Sequence, residues 1–290
     1  MPTTSKIAIT GATGQLGQLV IDALLRTVPA AQIIAAVRNP EKARGLAAKG
    51  VEVRVADYDR PETLESAFEG VDKLLLISAS EVGKRAPQHQ AVIDAARRAG
   101  VKLVAYTSLL HADRSPLGLA EEHRQTEAAL RASGLPFVLL RNGWYAENAA
   151  ASVPAALQHN AVLGSAGEGR IAWASRADLA EATAAVLTSK EDQAGKIYEL
   201  AGDHGYTLAE FAAELARQSG KPVVYRDMPE EAYKNVLVGA GLPEGFAALL
   251  ADSDIGASKG GLYDDSRQIS ALIGRPTMTL EQLVAGALKQ

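Results

Sequence analysis

Residues 7–17 read Ile-Ala-Ile-Thr-Gly-Ala-Thr-Gly-Gln-Leu-Gly. A short apolar strand runs straight into three glycines spaced Gly11-x-x-Gly14-x-x-Gly17, and an apolar helical pattern through Leu19, Val20, Ala23 and Leu24 follows at once. Each glycine has its own reason to be there. Gly11 permits a tight turn, Gly14 removes the Cβ that would hold a pyrophosphate away from the backbone, and Gly17 lets the helix pack close to the strand. The helix N-terminus adds unpaired N–H donors that favour an anion. The segment therefore predicts the phosphate-cradling start of a dinucleotide-binding βαβ unit. A glycine-rich turn without a ligand is the competing reading, and the flanking strand and helix speak against it.

Strand-like runs alternate with helix-period segments through the first half of the chain, at residues Ile7–Thr10, Ile33–Val37, Val51–Ala56, Leu74–Ser78, Leu103–Thr107 and Phe137–Arg141. These runs are continuously apolar, which suits a parallel sheet covered on both faces. The expected fold is α/β, a doubly wound parallel (Rossmann) sheet with a smaller α/β C-terminal lobe. Helix signals stand between the strands. Asn39-Pro40-Glu41 supplies an N-cap and a first-turn Pro for a helix that stops near Gly50; Asp59-Arg60-Pro61-Glu62 starts one that stops near Gly70; His89–Arg98 forms a third, ending at Gly100. After residue 148 the rhythm breaks into helix-like Leu179–Leu187, strand-like Lys196–Leu200 and helix-like Leu208–Gln218. The division expected is a nucleotide-binding domain at 1–148 and a mainly substrate-binding lobe at 149–290, with later stretches of chain free to return to the first.

Composition removes several function classes. The chain has 290 residues and no cysteine, so disulfides, thiolate metal sites and cysteine nucleophiles are excluded, and redox chemistry must come from a bound cofactor. A net charge of −4, with both signs intermixed, gives no basic field for nucleic acid. No His/Asp/Glu spacing suggests a metal site, and no Gly-x-Ser-x-Gly elbow suggests acyl transfer. Met1-Pro2-Thr3-Thr4-Ser5-Lys6 lacks a signal-peptide pattern, and no apolar run reaches the ~20 residues that span a bilayer, so a cytoplasmic protein is expected.

The second strand ends in Val37-Arg38-Asn39, where an NAD-binding fold would place a carboxylate for the ribose 2′-hydroxyl. A guanidinium there can pair with a 2′-phosphate by charge and by two hydrogen bonds, so NADPH is expected over NADH, with Arg38 discriminating. Asp57, after the third strand, either flanks the adenine or orders its loop. Ser78, Ala79 and Ser80 put small residues at the carboxyl edge of the fourth strand, where a nicotinamide ribose can pack closely.

None of the eight tyrosines has Lys four residues on, so the Tyr-x-x-x-Lys proton-donating pair of most short-chain dehydrogenases is missing. Ser108 ends the fifth strand, where a catalytic partner often stands. His123 and Arg124 follow on a charged helix and are read as solvated, with a cleft-facing role as the alternative; His111, in a loop, is ambiguous. The most polar and aromatic strand end is Arg141-Asn142-Gly143-Trp144-Tyr145-Ala146-Glu147-Asn148. Asn142 and Tyr145 can hydrogen-bond a carbonyl, and Trp144 offers a flat wall, or the two aromatics anchor the lobes together.

These features resemble the NmrA-like atypical short-chain dehydrogenases: Ile-Thr-Gly-Ala-Thr-Gly-x-Leu-Gly, the Val-Arg-Asn end of strand two, the absent Tyr-x-x-x-Lys and Leu-Arg-Asn-Gly-x-Tyr. Leu-Leu-Leu-Ile-Ser-x-Ser-Glu-Val-Gly from Leu74, Ala-Tyr-Thr-Ser-Leu-Leu-His-Ala-Asp from Ala105, Arg-Asn-Gly-Trp-Tyr-x-Glu-Asn from Arg141 and Ala-Ser-Lys-Gly-Gly-Leu from Ala257 are similar to bacterial quinone-reducing members. The resemblance implies an enzyme without flavin or metal that passes hydride from NADPH to a quinone. It implies cofactor contacts at Gly11, Ala12, Thr13, Gly14, Gln15 and Leu16, at Arg38, at Ser78–Ser80, and along Asn142, Gly143, Trp144, Tyr145, Ala146 and Glu147. A quinone becomes aromatic on reduction and needs no dedicated proton donor, so positioning by Asn142 and Tyr145, with a proton from water, would suffice. The family also contains dinucleotide-binding redox sensors without turnover, and reduction of dye-like xenobiotics is a further alternative. Ala149–Leu157 and Gly245–Ala251 are apolar enough for core or for a homodimer interface.

Overall fold

A strand covered on both faces has no polar side, and β1 (Ile7–Thr10) is buried at every position. In this computed structural model, which describes residues 5–81 and 83–289, β1 is followed by α1 (Gln15–Leu24), β2 (Ile33–Val37), α2 (Arg44–Ala48), β3 (Glu52–Val55), α3 (Pro61–Ala67), β4 (Lys73–Leu76), α4 (Arg85–Arg98), β5 (Leu103–Leu109), α5 (Ala120–Ala132) and β6 (Phe137–Asn142). Then come α6 (Ala146–His159), β7 (Ala161–Gly164), α7 (Arg176–Thr188), β8 (Ile197–Leu200), α8 (Leu208–Ser219), β9 (Val224–Asp227), α9 (Glu230–Gly239), α10 (Glu244–Ser258), α11 (Gln268–Ile273) and α12 (Leu280–Ala287). Met1–Thr4, read above for a targeting signal, and Val82 of the Leu74–Gly83 motif lie outside the described residues.

The main sheet has the order β3-β2-β1-β4-β5-β6-β8, and every pairing among β1 to β6 is parallel. This is the expected doubly wound architecture. Strand order reverses between β1 and β4, so the connections after these two strands leave in opposite directions and open a crevice at their carboxyl ends. Side-chain alternation splits the core into two layers. Ala8, Ile34, Leu74, Leu76, Val104, Tyr106 and Leu139 pack with Leu64, Phe68, Val92, Ala96 and Leu130 from the α3, α4 and α5 side. Ile9, Ala35, Leu75, Ala105 and Leu140 alternate with these and are fully buried on the opposite face.

Strand and helix ends depart from the sequence pattern for identifiable reasons. β4 stops at Leu76 and not at Ser78, because the Ile77 and Ser78 N–H groups donate to the side-chain hydroxyls of Thr10 and Thr107, at 3.0 and 2.8 Å. β5 runs past Thr107, because Ser108 and Leu109 pair with Arg141 and Asn142. α4 begins at Arg85, ahead of His89, since Pro87 falls in its first turn, where proline is tolerated. The helix expected after Asn39 divides into a 3-10 turn, Pro40–Ala43, and α2; Asn39 Oδ1 accepts from Glu41 N at 2.9 Å, as an N-cap should.

The chain forms two compact units. The first comprises residues up to Leu109, Glu121–Asn142 and Arg176–Tyr198, so α7 and the start of β8 belong with the dinucleotide-type sheet. The second comprises Leu110–Ala120, Gly143–Ser175 and the residues from Glu199 onward. It holds a two-stranded parallel sheet of β7 and β9, with α6 and α8 packed against α12. Trp173 meets Phe211 at 5.6 Å between ring centroids. Thr207 and Thr279 form capping boxes that start α8 and α12. Among the described residues, no helix is long and apolar enough to cross a membrane.

Gly17 sits where the sheet and α1 approach most closely: a Cβ there would lie 2.4 Å from Gly11 O and 2.8 Å from Ala12 Cα. Both are backbone atoms with little freedom to yield. Gly17→Ala is therefore expected to destabilise the protein by roughly 1–3 kcal/mol in urea unfolding. Gly45→Ala, whose Cβ would meet nothing within 4 Å, should be neutral or slightly stabilising.

Candidate functional site

The glycine loop is held by its own backbone. Gly11 adopts φ +59°, Gly14 N donates to Gly11 O at 2.9 Å, and Gln18 Nε2 returns to Thr13 O at 2.8 Å. Gly14 is the N-cap of α1 and offers no side-chain acceptor, so no cap competes with an anion at the first helical N–H groups. Ala12 and Leu16 point into the core and Gly17 is buried, so these three can meet a ligand only through backbone; Gln15 is exposed.

A cavity of ≈ 380 Å³ opens beside this loop, at the carboxyl ends of β1 to β4 in the first unit. Its walls include Gly11, Thr13, Gly14, Arg38, Asp57, Ser78, Ala79 and Ser80, all proposed from sequence, together with Tyr58, Asp59, Glu81 and Gln88, which were not. Ala12, Gln15, Leu16 and Gly17 are not among its lining residues, nor is any residue of Asn142–Glu147. Arg38 is mostly exposed, with Nη1 3.5 Å from Glu81 Oε1. An ion pair this long and this exposed is worth little and leaves the guanidinium available to a stronger anion. A second recess, at the amino edge of the sheet, is lined by Asp72, Lys73, Lys102 and Glu191. Lys102 and Asp72 pair there at 2.7 Å.

The loop after β3 is internally ordered. Asp57 Oδ1 accepts from Asp59 N at 3.1 Å, and Asp59 Oδ1 accepts from Gln88 Nε2 at 3.0 Å. The Tyr58 hydroxyl donates to Thr10 Oγ1 at 2.6 Å, and burial pushes its pKa up, so it stays a neutral phenol. Asp57 thus orders its loop while also lining the cavity.

The Ser78–Ala79 edge is fixed by groups that sequence reading missed. His89 Nε2 accepts from Ala79 N at 2.9 Å, which leaves Nδ1 as the donor to Thr126 Oγ1 at 2.9 Å, and Thr126 in turn donates to Glu122 O. Arg85, almost fully buried, donates through Nε to Ala79 O at 2.7 Å and pairs with Glu122 at 3.3 Å. Burial, helped by the Arg85 charge, lowers the His89 pKa to about 3, so the imidazole stays neutral and keeps its acceptor. His123 is not solvated, contrary to its reading from the charged run: it is buried against Tyr106, whose hydroxyl lies 2.7 Å from Nδ1, and burial depresses its pKa strongly. Its face of α5 turns to the sheet, whereas Arg124 points outward to Glu121 at 2.7 Å.

Ser108 is committed as well. Its hydroxyl donates to Glu127 Oε1 at 2.7 Å, and Glu127 takes both a 2.9 and a 2.8 Å bond from the buried Arg141 guanidinium. The next residue on β6 faces the other way. Asn142 is 4 % exposed, and neither its amide nitrogen nor its carbonyl oxygen has a partner. A buried carboxamide without hydrogen bonds is a rare expense in a folded protein, and one a ligand can relieve. In the second unit, Gly143 N donates to Leu200 O at 2.7 Å and Ala146 N to Ala174 O at 2.9 Å, which pins the Trp144–Tyr145 backbone. Trp144, Tyr145 and Glu147 are half-buried there. His111, with φ 52°, donates its backbone N–H to Glu199 at 2.8 Å, and its ring sits within 3.6 Å of the Glu199 and Asp264 carboxylates; the hydrogen bond to Glu199 raises its pKa. It ties the loop after β5 to Glu199 and Tyr263 within the second unit. Among the described residues, no group of three or more His, Asp or Glu is arranged to hold a metal ion.

A crevice at the sheet's switch point, an uncapped glycine loop and an arginine at the end of β2 are what a phosphorylated dinucleotide would require, and the family model for NmrA-like proteins matches residues 3–277. The chain belongs to the NmrA-like family. It is 60% identical over 279 residues to quinone oxidoreductase 2 of Escherichia coli (strain K12), covering 96% of this chain and 97% of the relative. The crystal structure of the Escherichia coli NADPH-dependent quinone oxidoreductase complexed with NADPH superposes with a TM-score of 0.95 at 59% identity, over 97% of this chain and 99% of that one. The Citrobacter sp. triphenylmethane reductase complexed with NADP(H) has a TM-score of 0.93 at 43% identity, over 97% and 100%.

The His89 network makes stability depend on pH. The unfolded imidazole takes up a proton near its ordinary 6.5, whereas the folded one resists down to about 3, so the native state binds fewer protons in that window. Stability should fall as pH drops below 6.5, by up to about 1.4 kcal/mol for each pH unit from this group. His123 acts in the same sense. His89→Gln, which can still accept from Ala79, should give a shallower decline in melting temperature between pH 6.5 and 5; an unchanged slope would show that the network does not hold the imidazole neutral.

Proposed function

We propose that this protein is an NADPH-dependent quinone reductase that transfers hydride directly, without flavin or metal, in the cytoplasm. The observation that carries the reading is the 60% identity, over almost the whole of both chains, to quinone oxidoreductase 2. The site chemistry fits it. The Gly11–Gly14 loop and the uncapped N-terminus of α1 hold the pyrophosphate. Arg38 exchanges its weak contact with Glu81 for the 2′-phosphate. Ser78–Ser80, set in place through Ala79 by Arg85 and His89, receive the nicotinamide ribose. The bound NADPH supplies the hydride. Asn142, with both ends of its carboxamide unsatisfied, and Tyr145 orient the acceptor carbonyl, and water provides the proton to the oxygen that gains charge.

A second reading, reduction of a dye-like cation, is favoured by the 43% identity to a triphenylmethane reductase. Both share the cofactor and differ in the acceptor, so one experiment separates them. NADPH absorbance is followed with purified protein and 1,4-benzoquinone, with a triphenylmethane dye and with NADH in parallel. Saturable, protein-dependent oxidation with the quinone, favouring NADPH, is expected; turnover of the dye alone would establish the second reading, and tight NADPH binding without turnover of either would point to a redox sensor. Arg38→Ala should raise KM for NADPH about 10–100-fold, the range of a charge-assisted pair, and leave KM for NADH nearly unchanged. Asn142→Ala should lower kcat by a larger factor than it raises the NADPH Kd.

A further inference from the structure

Gln88 stands in the first turn of α4, is 5% exposed and lines the cavity. The orientation of its side-chain amide follows from its neighbour. Asp59 Oδ1 lies 3.0 Å from Nε2, and a carboxylate only accepts, so the NH2 group must face Asp59 and the carbonyl oxygen must turn away from it. That oxygen, Oε1, is buried without a hydrogen-bond partner. The surrounding wall offers acceptors as well. Asp57 and Asp59 bring carboxylates, and the hydroxyl of Tyr58 between them is spent on Thr10.

Place in the fold then identifies what such an acceptor faces. Asp59 follows β3, and Arg38 follows β2 directly; both lie on the β2 and β3 side of the glycine loop. On the reading proposed above, with phosphates at Gly11–Gly14 and the 2′-phosphate at Arg38, that side receives the adenosine half of the cofactor. Adenine carries an exocyclic amine at C6, a donor, where hypoxanthine and guanine carry a carbonyl, an acceptor. We propose that Gln88 Oε1 accepts a hydrogen bond from the adenine 6-amino group, which makes Gln88 the residue that selects a 6-amino over a 6-oxo purine cofactor. The Asp59 contact gives the selection its force. Gln88 cannot flip to greet a 6-oxo group without setting its own carbonyl against the Asp59 carboxylate, so a 6-oxo purine meets acceptor against acceptor.

The test is equilibrium binding of NADPH and of reduced nicotinamide hypoxanthine dinucleotide phosphate, which differ in the group at C6 and in the proton that the 6-oxo form carries on the adjacent N1. The wild-type protein should bind the hypoxanthine analogue about 10–100-fold more weakly, as expected when a buried polar group is left facing the wrong partner. Gln88→Leu should bring the two affinities to within a few-fold of each other. Because Gln88→Leu also strips Asp59 of its partner, Asp59→Asn is the companion variant: an asparagine can donate or accept, so Gln88 is released to flip and the discrimination should fall while NADPH still binds. Equal wild-type affinity for the two dinucleotides, or full discrimination retained in Gln88→Leu, overturns the assignment to Gln88 and leaves the cofactor reading standing. Failure of the wild-type protein to bind NADPH at all overturns both.

Discussion

The hydroxyl of Thr10 holds open the place on which the site depends. It ends β1 where strand order reverses, donates to Leu75 O at 3.1 Å, and accepts from Ile77 N at 3.0 Å and from Tyr58 Oη at 2.6 Å. One donor and two acceptor positions are all used. By taking the Ile77 N–H, Thr10 ends the ladder between β1 and β4 one step beyond Leu75, and the two chains diverge there, toward the glycine loop on one side and toward Ser78 on the other. By holding Tyr58, it anchors the loop after β3 as well. A residue that reads as the last position of a strand thus joins three of the four loops that wall the cavity.

What could be read from the sequence was what the local backbone dictates. The glycine spacing, Arg38 at the end of β2 and the small residues after β4 all follow from strand ends that apolar runs mark within two or three residues, and the cavity gathers them. The residues that hold these loops in place were not legible in that way, because their partners lie beyond one turn of their own helix: Arg85 and His89 reach back to Ala79 in the preceding loop and across to Glu122 and Thr126 on another helix. A signal was nevertheless present. Arg85, Gln88, His89, Val92 and Ala96 fall on one helical stripe, and all are buried. The stripe is apolar where it crosses the core and polar where it passes the carboxyl edge. A core-facing stripe that changes character part-way along a helix marks the turn that meets a site.

Burying these polar groups would be costly if any were left single, and the pattern of partners shows which are structural and which are not. Glu127 is saturated by Ser108, Arg131 and Arg141, and Glu122 receives Arg85 together with the Gly83 and Arg85 backbone N–H groups. Such pairs add little net stability compared with apolar side chains of the same size, but losing one partner would strand a buried charge, so they specify geometry strongly. Gln88 Oε1 and the whole Asn142 carboxamide are left over from this accounting in the first unit.

Four side chains at the carboxyl edge with an exchangeable proton are engaged elsewhere: His89 is neutral and bonded at both nitrogens, His123 is buried against Tyr106, Tyr58 is tied to Thr10, and the Ser108 hydroxyl belongs to Glu127. An ordinary ketone would be a poor partner for such a site, since its reduction develops an alkoxide that needs a proton donor at hand. The free group at the end of β6 is a carboxamide, which can donate a hydrogen bond but not a proton. That suits an acceptor whose reduced form is a stabilised phenolate, for which orientation and a hydrogen bond meet most of the demand. Loss of the dehydrogenase Tyr-x-x-x-Lys pair is in this sense of a piece with the way Ser108 has been drawn into the Glu127 and Arg141 network: a serine freed from proton transfer is available to pin β5 against α5 and so hold still the strand end beside Asn142.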